Sequence, residues 1–189
     1  MMNKLFLCLL LLGAVVMNSP AQNQSAPAVN SQQAFFENLK KLCGKKFAGA
    51  TNFPQNADHP MVGKQLVMHV ATCGDKELRI PFHVGADRSR TWILTLTKEG
   101  LLFKHDHRHE DGTPDKITNY GGLAASAGGS PHLQRFPADG HTATLIPEAK
   151  TNVWTLAIDA DKQQFMYYLE RNNEPRFRAY FDLSKPLKL

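Results

Sequence analysis

Cysteine is scarce in this chain of 189 residues, with only Cys8, Cys43 and Cys73, and no two of them stand in a Cys-x-x-Cys spacing. That absence argues against a redox-active pair, which normally uses such spacing. Long apolar runs are missing after residue 17, so no later segment approaches the roughly 20 apolar residues of a membrane-spanning helix. Basic residues form no block. Lys40, Lys41, Lys45 and Lys46 flank one predicted helix end and read as a solvated surface, whereas nucleic acid asks for a concentrated stripe with interleaved aromatics. The glycine-rich stretch Gly121 to Pro131 lacks the Gly-Lys-Ser/Thr ending and the following amphipathic helix of a phosphate-binding loop, and reads as a mobile loop. Ser130, within Gly-Gly-Ser-Pro, is not in a Gly-x-Ser-x-Gly elbow. No serine or cysteine has the setting of a nucleophile, and no internal repeat is visible.

The N-terminus carries a clear signal. Lys4 precedes an unbroken apolar stretch from Leu5 to Met17, followed by Ser19-Pro20-Ala21, the small-x-small form of a signal-peptidase site. Residues 1–21 are therefore expected to be a signal peptide, with a mature start at Gln22 and a destination in the periplasm or outside the cell. Cys8 lies in the middle of the apolar stretch, not just after it, which argues against a lipid-anchored cysteine. Cleavage removes one lysine and no acid, lowering the formal charge from +5 to about +4. Cys43 and Cys73 remain, and in an oxidising compartment an isolated pair is expected to form a disulfide. Loop entropy gives such a bridge a contribution of about 3 to 4 kcal/mol.

About 168 mature residues suffice for one domain that buries roughly 70% of its unfolded surface. Residues 22–30 are small and polar with prolines and no periodicity, and are expected to be a disordered leader; residues 31–189 are expected to form the single domain. Ser31 looks like a helix N-cap. Phe35, Phe36, Leu39, Leu42 and Cys43 recur at helical spacing, Lys40 and Lys41 suit the last turn, and Gly44 supplies the stop. Beyond Gly44 the pattern changes to strands, expected over 46–51, 64–73, 77–84, 91–97, 101–110, 116–120, 153–159, 164–171 and 176–183. Gly74-Asp75, Lys98-Glu99-Gly100 and Asn172-Asn173-Glu174-Pro175 look like hairpin connections. Short turns between neighbours favour an antiparallel meander, and eight or nine strands in one domain point to a closed barrel or a sandwich.

A short helix before the first strand, followed by such a meander, resembles the lipocalin-like (calycin) barrels. Lys46-Phe47-Ala48-Gly49 is similar to their aromatic-x-Gly first strand, with Phe47 where tryptophan is usual. The resemblance implies a mainly β fold closing into a barrel, with Arg176 or Arg178 packing over the Phe47 ring. Arg79-Ile80-Pro81-Phe82-His83-Val84, Asp87-Arg88-Ser89-Arg90-Thr91-Trp92 and the run His105 to Gly112 also resemble segments of small secreted bacterial proteins of unassigned function. That likeness spans most of the mature chain and implies no activity.

Chemistry concentrates in one run, Leu101 to Gly112, where His105, His107 and His109 stand at every second position. On a strand, Leu101, Phe103 and the three imidazoles share one face, while Leu102, Lys104, Asp106, Arg108 and Glu110 share the other. Imidazoles at this spacing lie roughly 7 Å apart and can chelate one zinc or copper ion if the strand bends and a neighbour completes the set. His69, His83, His132 and His141 are the remaining candidates for that ligand. The alternative is a polar floor of hydrogen-bonded imidazoles inside a cavity, with Trp92 and Phe103 on its wall and Arg88, Arg90 and Asp87 as partners. Trp92 and Trp154 otherwise read as core, and Met61, Met68 and Met166 as core filler. The charges on the opposite face read as solvated cross-strand pairs. Three functions follow: an exported binding barrel for a small, partly apolar ligand; a periplasmic metal-binding protein using the histidine row; and a metal-assisted hydrolase with Glu110 or Asp106 as base. Neither a nucleic-acid partner nor a membrane span is expected, and the sequence does not fix the oligomeric state.

Overall fold

A computed structural model describes residues 28–188; the expected signal peptide and most of the leader lie outside the described residues. Helix α1 spans Ala28–Lys40. It begins three residues before the expected cap at Ser31, so residues 28–30 belong to the helix and not to the leader. Phe35, Phe36 and Leu39 fall on one face and are fully buried. Gly44, at φ +78°, ends the segment as expected, and its amide donates to the Val70 carbonyl at 2.8 Å.

Eleven strands follow: β1 (Lys46–Phe53), β2 (Leu66–His69), β3 (Thr72–Cys73), β4 (Glu77–Val84), β5 (Asp87–Leu96), β6 (Leu101–His107), β7 (Tyr120–Leu123), β8 (Leu133–Pro137), β9 (Asn152–Asp159), β10 (Gln164–Arg171) and β11 (Glu174–Leu187). Between β8 and β9 lie a short helix α2 (Gly140–Leu145) and a 3-10 turn (Pro147–Ala149). Every pairing is antiparallel, in the order β7-β6-β5-β4-β2-β1-β11-β10-β9-β8, with β3 beside β4. The expected mainly β, antiparallel barrel with a short N-terminal helix is the observed architecture. It is nearly closed, an arrangement consistent with a calycin-like barrel.

The seam lies between β7 and β8. Ala125 N donates to Arg135 O at 2.7 Å, Asp139 N donates to Gly121 O at 2.9 Å, and the Thr142 hydroxyl accepts from Gly121 N at 2.7 Å. Gly121 and Gly122 therefore belong to a strand and are not part of a mobile loop, which corrects the expectation from sequence. Their lack of a side chain lets β7 fit between its neighbours: a Cβ on Gly121 would lie 2.0 Å from the Phe103 carbonyl oxygen of β6, and one on Gly122, across the seam, would lie 1.9 Å from that of Pro137 of β8. Gly121 also sits at φ +149°, which side-chain-bearing residues rarely adopt.

Along each strand alternate residues enter the barrel, giving the buried-intermediate alternation of β4 from Glu77 to Val84. Leu78, Ile80, Leu94, Phe103, Leu156 and Phe165 are fully buried, each such side chain contributing about 1.5–3 kcal/mol of burial. Helix α1 closes one end. Its Gln32 is 4% exposed and accepts through Oε1 from Leu101 N at 2.8 Å, and the Cys43–Cys73 disulfide, with Cα atoms 6.1 Å apart, ties the chain after the helix to β3. At the opposite end His59 and Met61, between β1 and β2, and Ile146 and Ala149, in the α2 region, line the lumen. The lipocalin-type arginine is absent from its expected place: Arg178 lies over Tyr180 at 5.8 Å and donates to Asn52, while Phe47, paired with Pro186 at the other end of β11, is buried without it. Among the described residues no helix is long and apolar enough to cross a membrane.

Candidate functional site

Polarity rises along the barrel axis. On β6 the inward residues run Leu101, Phe103, His105, His107 from the helix-capped end, and exposure grows in that order from fully buried to partly exposed. Strand β10 repeats the pattern with Phe165, Tyr167, Leu169 and Arg171, as β5 does in reverse with Arg90, Trp92 and Leu94. Register brings these together: Trp92 pairs with His105, Arg90 with His107, and Asn152 with Arg171. The result is a cavity of about 250 Å³ at the open half of the barrel.

His105 forms its floor and is 4% exposed. Its Nδ1 lies 3.2 Å from the Tyr120 carbonyl oxygen, which can only accept, so Nδ1 carries the proton and donates. Nε2 then accepts from the Tyr167 hydroxyl at 2.9 Å. Burial drives the His105 pKa down to about 3, so the ring is neutral across the physiological range. Burial likewise raises Tyr120 to about 12 and Tyr167 well above its ordinary value, so both phenols keep their protons. Rings reinforce this arrangement: His105 stacks on Tyr120 at 4.5 Å, and Trp92 lies between Phe82 at 4.6 Å and Tyr167 at 4.8 Å.

His107 stands nearer the mouth, with Nε2 3.0 Å from the Tyr120 hydroxyl. Its pKa is lowered by burial first and by the charge of Arg90 second. Arg90 is itself ion-paired with Asp87. His59, which no sequence motif marks out, stacks on Phe177 at 5.5 Å and accepts from Met61 N through Nδ1 at 3.3 Å. Ile146 and Ala149, from the α2 region, and Leu169 complete the apolar wall.

The expected row of three inward histidines is thus corrected at its end. Strand β6 stops at His107, and His109 is exposed on the outer rim beside Arg88, Arg108 and Glu110. Phe103 lies beneath the cavity in the core and does not line it, whereas Trp92, His105 and His107 do. On the metal reading, both ring nitrogens of His105 are already engaged, and His107 Nε2 meets Tyr120. His132 and His141 are exposed, and His69 and His83 lie on β2 and β4, away from the cavity wall. Among the described residues no group of three or more His, Cys, Asp or Glu is placed to hold a metal ion. Asp106 and Glu110 lie outside the cavity, Asp106 bonded to Arg108 and to Thr118.

Several of the site's residues carry no signal in the sequence taken alone. Tyr167 is 62 positions from His105, and only strand register joins them. Arg171 had a readable clue, since alternation on β10 puts it at the polar end of an apolar face. The lining residues are aromatic and aliphatic side chains together with His59, His105, His107, Arg90, Arg171 and Asn152. No family model, curated protein or solved structure matches the chain.

Proposed function

We propose that this protein is an exported binding barrel that takes one small, partly apolar molecule into the open half of its lumen. The observation that carries this reading is the cavity of about 250 Å³, walled by Trp92, Trp154, Tyr167, Phe82 and Phe177 and plugged from below by α1. A mostly apolar, pre-formed hollow with a few placed polar groups is the usual form of a small-molecule site. Its volume equals about eight waters at roughly 30 Å³ each, which fits a ligand of one or two rings. The disulfide supports export, because such bridges persist in oxidising compartments.

The chain has two tryptophans, and both line the cavity. Entry of a ligand should therefore change intrinsic fluorescence. A neutral aromatic probe, phenylacetamide, has about ten non-hydrogen atoms and is expected to bind at millimolar affinity or tighter, from roughly 0.3 kcal/mol per atom upward. Titration to 10 mM should give a saturable change, confirmed by calorimetry. A linear, non-saturating response would remove the binding reading.

A further inference from the structure

The charges around the cavity are one-sided. Arg90 and Arg171 stand on its wall, and no Asp or Glu does. At the open end it shares His59, Leu169, Arg171 and Phe177 with a surface vestibule of about 380 Å³, which adds Arg176 and again no carboxylate. Arg90 is partly neutralised by Asp87 on the rim. Arg171 is not. Its Nε donates to Asn152 Oδ1 at 2.8 Å, which orients the guanidinium, while its terminal nitrogens have no acceptor among the described residues. Glu174 lies opposite it across the β10–β11 hairpin but is exposed and forms no ion pair with it.

An oriented, half-buried guanidinium with free donors, standing between an aromatic hollow and a vestibule, matches a carboxylate in charge and in fork geometry. Aromatic walls alone would also suit an organic cation. Arg171 decides between the two, because a cation beside it meets repulsion with no carboxylate on the cavity wall to offset it.

We propose that the ligand is a small carboxylic acid with a flat apolar body, its carboxylate held by Arg171 at the mouth and its body against Trp92, Tyr167 and Phe177. This rests on the binding reading above. Ionised acids of this kind keep their charge at the wet end while the ring replaces water in the apolar hollow, so the two ends of the site ask for the two ends of the molecule.

Three probes of one shape separate the alternatives: phenylacetate, phenylacetamide and phenethylamine, titrated by tryptophan fluorescence and calorimetry at pH 7.5. Phenylacetate is expected to bind at least about tenfold tighter than the amide, as a charge-assisted hydrogen bond permits, and the amine weakest. In Arg171→Gln the acid-to-amide ratio should collapse towards one, and Arg171→Lys should restore part of it. The comparison of probes on the unmodified protein needs no variant to fold. If the amide binds and the acid binds no tighter, the acid proposal is overturned and the binding reading stands. If none of the three binds up to 10 mM, both fall. An Arg171→Gln protein that keeps the preference overturns the role assigned to Arg171.

Discussion

His105 couples the stability of the barrel to pH. Its ring is 4% exposed and neutral, held between the Tyr120 carbonyl and the Tyr167 hydroxyl. Burial lowers its pKa from 6.5 to about 3, whereas the unfolded chain takes up a proton near pH 6.5. Between those values the unfolded state binds more protons than the folded one, so stability is lost as pH falls, by about 1.4 kcal/mol per pH unit. From pH 6.5 to pH 5 the loss is about 2 kcal/mol, a large share of the 5–15 kcal/mol typical of a domain. The perturbation that isolates it is the double variant His105→Phe, Tyr167→Phe, which removes the titrating ring together with the hydroxyl that would otherwise be left without its acceptor. Urea unfolding of both proteins at pH 7 and pH 5 gives the comparison. His69, His83 and His107 are also lowered, chiefly by burial, but both proteins contain them and their effects cancel in the difference. The parent should lose about 2 kcal/mol more than the double variant between the two pH values. Equal losses would refute a neutral, desolvated His105.

Two further expectations concern the seam and the leader. Gly122→Ala places a methyl group 1.9 Å from the Pro137 carbonyl oxygen, where only backbone movement can make room; a loss of at least about 1–3 kcal/mol is expected in urea unfolding, and a variant as stable as the parent would show that β7 and β8 are not so closely joined. Export should yield a product whose N-terminal sequence begins at Gln22, read directly from protein recovered outside the cytoplasm; recovery of the chain with Met1 intact would count against the signal peptide.

Elements whose order is written locally were legible. Strands β4 and β10 fall where alternation and flanking turn residues place them, Glu77–Val84 and Gln164–Arg171. The turn after β10 has Asn172 and Asn173 at φ 55° and 62°, the left-handed conformations that a two-residue hairpin needs and that asparagine tolerates. Strand β8 was not legible, because five residues ending in Pro137 show too short an alternation. Gly121-Gly122 misled for a physical reason. A glycine pair carries the same composition whether it sits in a mobile loop or in a strand where two backbones approach too closely for any side chain, and only the packing of Phe103 and Pro137 distinguishes them. At the site, alternation put His105 and His107 inside, but it was extended one step too far. Asp111 accepts from Thr113 N and Gly112 turns at φ +83°, so the chain reverses just past the strand and His109 leaves the wall.

The choice between metal ligand and polar floor turns on what faces the imidazole from across the barrel. Converting His105 into a ligand through Nε2 would break its bond with the Tyr167 hydroxyl and strand that hydroxyl, at about 1–3 kcal/mol, while Nδ1 could go on donating to the Tyr120 carbonyl. A full zinc site contributes about 10–16 kcal/mol, so that cost alone would not forbid one. What stands against it is geometry. The third histidine of the row is on the outer rim, and the wall around His105 and His107 offers phenols, indoles and arginines, with His59 as a further imidazole but no thiolate or carboxylate; no group of three or more such ligands comes together among the described residues. The same wall is coherent for an organic anion. Tyr167 and Tyr120 keep their protons and satisfy the imidazoles, which leaves the floor neutral and places the uncompensated charge of the cavity at its mouth, on Arg171.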